Sequence, residues 1–159
     1  MDFYIRELSH ADRDWMEDLL SRSLRTPELI RKGEIVYTLD LPGFIAISDE
    51  ENIGLITFHI HNKECEIVTL TSLKPGLGVG TALVEQVLDK ADFGGCQRVW
   101  CVMTNDDWPS MRFYQTLGFR FAAIHKNSYT QARELKPNLP LYGYDSIPIH
   151  DEIELELYL

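Results

Sequence analysis

Three glycines at alternate positions, Gly76, Gly78 and Gly80, separate a run patterned for a strand from a run patterned for a helix. Upstream, Glu64–Leu73 is rich in β-branched and apolar residues and predicts a strand. Downstream, Leu83, Val84, Val87, Leu88 and Ala91 make the apolar stripe of a helix that Gly94-Gly95 ends. The chain must leave a strand, turn through glycine backbone and enter a helix. That restricts it to folds in which sheet and helix alternate.

The remaining elements follow from periodicity and turn chemistry. Phe3–Leu8 predicts a short strand, and Ser9 with Asp12 a capping pattern before a helix carrying Trp15, Met16, Leu19, Leu20 and Leu24. Thr26-Pro27 predicts the start of a second, short helix ending at Gly33. Phe44–Ser48 and Gly54–His61 read as strands about a polar turn at 48–52, and Asn62-Lys63 turns the chain into Glu64–Leu73. Those three runs predict an antiparallel meander. Arg98–Met103, apolar at its centre, predicts a strand covered on both faces. Pro109 opens a helix stopped by Gly118, Phe119–His125 reads as a strand, and the alternation of Ile153–Leu159 predicts a half-exposed one. Between the last two, 127–150 is a long connection with one or two helical turns near Thr130–Lys136. The order is an α/β arrangement about a mixed sheet.

With 159 residues and no repeat or linker, one domain is expected. The net charge of −10 argues against a nucleic-acid partner and is compatible with a cationic one. No apolar stretch approaches the roughly 20 residues of a membrane span, and the N-terminal residues lack the pattern of a cleaved signal. Cys65, Cys96 and Cys101, an odd set without metal-binding spacing, predict reduced thiols and a cytoplasmic setting.

A strand, a glycine turn and a helix form an anion-binding arrangement, because the first N–H groups of the helix point outward and its dipole favours negative charge. The P-loop pattern fails for want of a Lys before Thr81, and the dinucleotide fingerprint fails on glycine spacing. What remains, Pro75-Gly76-Leu77-Gly78-Val79-Gly80 after the third strand of a meander, resembles the acetyl-CoA motif Gln/Arg-x-x-Gly-x-Gly/Ala of the GCN5-related N-acetyltransferase (GNAT) superfamily. The run from Asp107 to Phe119, with Phe113-Tyr114 and Gly118-Phe119, resembles that family's second motif at matching spacings. Pro75 departs from the usual Gln or Arg and lacks an N–H. Leu77 stands where a basic residue is common, and Asp107 where Asn is usual, with Asn105 two residues earlier.

The resemblance covers nearly the whole chain. It implies a single GNAT-like domain over 1–159, with a central, mostly antiparallel sheet and helices on both faces. It also implies acetyl-CoA as cosubstrate, no metal, and a small-molecule or peptide amine as acceptor, in a monomer or homodimer without nucleic-acid or membrane partners. Leu70, Gly76, Leu77, Gly78, Val79, Gly80, Thr81, Asn105 and Ser110 are the implied cofactor-binding residues, flanked by Lys74 and Arg112. Tyr114 is the implied acid for the departing thiolate. Glu66 is the candidate base, expected on one face with Val68 and Leu70; Glu154 and Glu156 are alternatives expected on a solvated face. His59 and His61, two apart on a polar strand face, are expected to be solvated or to line an acceptor pocket, as Tyr129, Tyr142 and Tyr144 could. A CoA-binding sensor without efficient transfer is the rival reading, supported by Pro75 and Asp107.

Overall fold

A computed structural model describes residues 2–24 and 28–159. Its strands are β1 (Tyr4–Glu7), β2 (Glu28–Arg31), β3 (Glu34–Tyr37), β4 (Gly43–Ser48), β5 (Glu51–His61), β6 (Glu64–Ser72), β7 (Arg98–Thr104), β8 (Arg120–His125) and β9 (Glu152–Tyr158). Its helices are α1 (Arg13–Leu24), α2 (Val79–Phe93), α3 (Trp108–Thr116) and α4 (Ser128–Leu135). The fold is mixed α/β, as the residue patterns predict. Among the described residues no helix is long and apolar enough to cross a membrane.

The chain forms two compact units, one of Met1–Glu28, Tyr37–Val99 and Leu159, the other of Leu29–Val36 and Trp100–Tyr158. In the first, β1, β4, β5 and β6 pair antiparallel in that order, which is the expected meander with β1 added at its edge. The β4–β5 and β5–β6 turns hold Asp49, Glu50, Asn62 and Lys63 at positive φ, the backbone that tight hairpins require. Neighbouring residues of β5 show how the sheet is covered. Leu55 packs with Met16, Leu19 and Leu20 of α1, whereas a β-carbon on Gly54 would meet Val79 Cγ1 at 2.7 Å and Leu83 Cδ1 at 3.0 Å on α2. Adjacent strand residues point to opposite faces, so α1 and α2 cover the two sides of the meander. Burying each of these Leu and Ile side chains contributes about 1.5–3 kcal/mol.

Before α1, Ser9 donates its N–H to the Asp12 carboxylate at 2.8 Å, the contact that the capping pattern predicts. The expected helix from Thr26-Pro27 to Gly33 is corrected from Glu28 onward, the two starting residues lying outside the described part. Glu28–Arg31 and Glu34–Tyr37 instead form a two-stranded hairpin. Lys32 and Gly33, at φ 52° and 78°, supply its turn.

In the second unit β7, β9 and β8 lie side by side in that order, with β8 and β9 antiparallel. β7 buries Cys101 and Met103 on one face. Its other face is half-buried. Trp100 lies beneath the Lys32 ammonium, 4.5 Å from the ring centroid, and the Arg31 guanidinium at 5.6 Å. The solvated face expected of the last strand is also corrected. Glu152 and Glu154 are buried, and Glu154 pairs with Lys32 at 3.1 Å and His125 at 3.0 Å. Partnering by a Lys 122 positions away is invisible to a period-two reading.

Candidate active site

In the first unit the chain leaves β6 at Ser72 and enters α2 at Val79 through a turn that holds Gly76 at φ 83° and Gly78 at φ 78°. A β-carbon at either would meet no atom within 4 Å, so it is the left-handed backbone, not crowding, that calls for glycine there. No side chain caps α2 at Gly78, and the first turn closes with the Ala82 N–H donating to the Gly78 carbonyl at 3.0 Å. The N–H groups of Val79, Gly80 and Thr81 therefore have no intrahelical acceptor and face the positive end of the helix dipole. Leu77, partly exposed on the turn, adds no charge, and Pro75 adds no donor.

Leu70 and Glu66 lie on β6, and a bulge changes how they relate. Thr57 pairs with Thr69 but Phe58 with Ile67, which leaves Val68 as an extra residue. One inserted residue reverses the alternation. Glu66 therefore shares a face with Thr69, beside His59 and Thr57, and not with Leu70 as strict alternation predicts. The Glu66 side chain is buried, and the hydroxyls of Thr57 and Thr69 bond across the strands at 2.6 Å. His59 and His61 are exposed with their rings stacked at 6.2 Å. Among the described residues no group of three or more His, Cys, Asp or Glu side chains is placed to hold a metal.

The second unit holds Asn105, Ser110 and Tyr114. Asp107 caps α3, accepting the Ser110 N–H at 3.1 Å. Asn105 is a clamp on the connection before β9. Its Oδ1 accepts the N–H groups of His150 and Asp151 at 2.9 and 3.0 Å, and its Nδ2 donates to the Pro148 carbonyl at 2.9 Å. Tyr114 is buried, its ring set edge-on to Phe113 and Phe119 at centroid distances of 5.2 and 5.1 Å. Burial above all, with Cys101 and Asp107 nearby, raises its phenol well above the usual 10. A phenol of that kind stays protonated and keeps a proton to donate.

Sequence reasoning passed over Asp106 and Trp108. Asp106 is buried, with Oδ2 accepting the Tyr144 N–H at 3.0 Å and Oδ1 left without a hydrogen-bond partner. Trp108 donates its indole N–H to Asp145 at 2.8 Å. The available signal was the run Asn105-Asp106-Asp107, three polar residues between an apolar strand and a helix. Of the tyrosines expected to line a pocket, Tyr129 is buried while Tyr142 and Tyr144 are exposed.

Comparison with known proteins agrees with this reading of the chain. A family model described as Acetyltransferase (GNAT) family matches residues 8–119. The uncharacterized protein YdhI of Bacillus subtilis (strain 168) is 40% identical over 139 residues, 87% of each chain. The IAA acetyltransferase from Bacillus cereus ATCC 14579 superposes with a TM-score of 0.73 at 18% identity, over 99% of this chain and 100% of that one. A GNAT family acetyltransferase from Elizabethkingia anophelis, with acetyl-CoA bound, superposes with a TM-score of 0.71 at 19% identity, over 99% and 98%.

Proposed function

The chain belongs to the GNAT acetyltransferase family, and from that premise we propose that it transfers the acetyl group of acetyl-CoA to an amine by direct attack in a ternary complex. The observation that carries the reading is the uncapped start of α2 behind two positive-φ glycines. Such a turn offers free N–H donors and a positive dipole end to a pyrophosphate, worth about 0.3–2 kcal/mol from the dipole alone. Salt confines the repulsion of the acidic surface to about 8 Å, so the local donors outweigh it. That a structural neighbour holds acetyl-CoA supports the same assignment. We take residues 1–159 to act as one catalytic domain, with a small-molecule or peptide amine as acceptor.

In the reaction the amine nitrogen bonds to the thioester carbonyl carbon, the carbon–sulfur bond breaks, and CoA leaves as a thiolate. A lysine-like amine with a pKa near about 10.4 is almost wholly protonated at pH 7, and freeing its lone pair costs on the order of 4–5 kcal/mol. Glu66, buried on β6, takes that proton directly or through water. Tyr114 gives its own proton to the departing sulfur and recovers one from solvent.

The rival reading, a CoA-binding sensor, draws on Pro75 and Asp107. One titration tests the premise and a second assay separates the rivals. Acetyl-CoA at about 100 times its Kd stabilises a folded state by roughly 2.7 kcal/mol, raising the melting temperature by several degrees, where ATP or NAD does not. Absence of that shift at millimolar acetyl-CoA sinks both readings. A shift without thiol release across a panel of amines favours the sensor.

A further inference from the structure

Three carboxylates stand at the start of α3 and on the turn near residue 145, and none has a cationic partner. Asp106 is buried with Oδ1 unpaired. Asp107 accepts the Ser110 N–H of its own helix through Oδ1 at 3.1 Å. Asp145 accepts from the Trp108 indole. Among the described residues none of the three forms a salt bridge. Of the three only Asp106 is buried, Asp107 being half-buried and Asp145 exposed, and a buried carboxylate without a cation is costly. Burial first, with Asp106 among the further causes, lifts the Asp107 carboxyl, while Asp107, burial and Asp106 in turn lift the Tyr144 phenol.

Aromatic faces stand beside this charge. Trp108 and Tyr144 are 47% and 51% exposed and meet edge to face with centroids 6.4 Å apart. Tyr144 stands on a turn whose backbone is held against Asp106, and Trp108 on the first turn of α3. A β-carbon on Gly143 would collide with that carboxylate, and Asp145 and Ser146 sit at φ 53° and 60°. Ring faces flanked by carboxylates are the chemistry that recognises an organic cation. A bare metal ion is a poor fit, since among the described residues no set of side chains converges as metal ligands would.

We propose that Trp108, Tyr144 and Asp145, backed by Asp106 and Asp107, bind an ammonium group of the acceptor, and that the acceptor carries this charge in addition to the amine that is acetylated. The second half follows from proton chemistry. A site that stabilises an ammonium makes its neutral form scarcer, tenfold for each unit of pKa, so the nitrogen held here is the wrong one to attack. A separate amine on the same molecule is the nucleophile. The acceptor class is thus a diamine, a polyamine or another dication, a conclusion that rests on the acetyltransferase reading above.

The experiment measures thiol release from saturating acetyl-CoA with 1,4-diaminobutane, 1,5-diaminopentane and spermidine against butylamine. Wild-type protein is expected to favour at least one of the polycations by about tenfold in kcat/KM, the scale of a cation held by rings and a carboxylate. Asp145→Asn and Trp108→Phe should bring that ratio close to one through KM for the amine, with the KM for acetyl-CoA unchanged. A wild-type ratio near one, or a ratio that survives both substitutions, overturns the proposal. If no amine is acetylated and acetyl-CoA does not bind, the acetyltransferase reading is what has failed. Calorimetric titration with spermidine then decides the cation site alone. Binding lost in Asp145→Asn supports the site, and no binding to wild type overturns it.

Discussion

Arg6 holds Asp12 with both guanidinium nitrogens, each 2.8 Å from a carboxylate oxygen, so β1 is tied to the residue just before α1. The same carboxylate accepts the Ser9 N–H. These bonds, the Arg6 contact foremost, lower the Asp12 pKa to about 2. A carboxylate depressed by folding contributes stability that is fully present above its unfolded pKa, near 3.8, and is lost as pH falls through about 2. Asp12→Asn should therefore cost about 1–2 kcal/mol at pH 7, discounted because Arg6 is partly exposed, and the difference from wild type should shrink as pH falls below about 4 and vanish only at about pH 1, below both pKa values. Urea denaturation of both proteins at several pH values measures it. A gap that persists undiminished at about pH 1 would mean that packing, not charge, is what the substitution removed.

Gly54 packs directly against α2. A β-carbon there would stand 2.7 Å from Val79 Cγ1 and 3.3 Å from the Thr71 carbonyl oxygen. Gly54→Ala is expected to destabilise by about 1–3 kcal/mol through overpacking, and Gly54→Val by more. Because Val79 opens the helix whose N-terminus is assigned to the cosubstrate, acetyl-CoA affinity should fall alongside the melting temperature. Unchanged stability in Gly54→Ala would show that α2 can move away freely.

The glycine turn makes a different demand. Gly78, at φ 78°, has open space around it, so an added side chain meets strain without a clash. Gly78→Ala should cost about 1–2 kcal/mol of left-handed backbone strain, and Gly78→Asn less, since Asn tolerates that region. Calorimetry with acetyl-CoA is expected to rank affinity as wild type, then Asn, then Ala. An Ala variant that binds as tightly as wild type removes the turn from the cosubstrate site.

Much of the fold was legible because it is written in local patterns. The α2 stripe, the three meander strands and the helix opened by Pro109 and stopped by Gly118 are each set by residues within a few positions of one another. What escaped depends on distance in the chain. The hairpin at Lys32-Gly33 looks like a helix end until Lys32 is seen bonded to Glu154 and lying over Trp100. The face of Glu66 was misassigned because the bulge at Val68 is a property of two paired strands, not of one. Asp106 went unnoticed because its burial depends on Gly143 and Tyr144, 37 and 38 positions later. The glycine loop and Tyr114 were proposed from motif spacing, which reports what a chain resembles but not what its neighbours do to it.

Tyr114 carries the sharpest prediction about chemistry. Its phenol is raised well above 10, first by burial, so it remains a proton donor throughout the range in which an amine acceptor loses its own proton. Activity should therefore climb with pH as the amine deprotonates, with no falling limb assignable to Tyr114 below about pH 10. Tyr114→Phe keeps the ring between Phe113 and Phe119 and removes only the hydroxyl, so stability should change by less than about 1 kcal/mol. If the hydroxyl protonates the leaving thiolate, turnover falls by about 10²- to 10⁴-fold while the Kd for acetyl-CoA stays put. The fall should be smaller with an acyl donor whose thiol is more acidic, because a better leaving group needs less help. Equal turnover in Tyr114→Phe and wild type would leave Tyr114 a packing residue, and the proton for CoA would have to come from water.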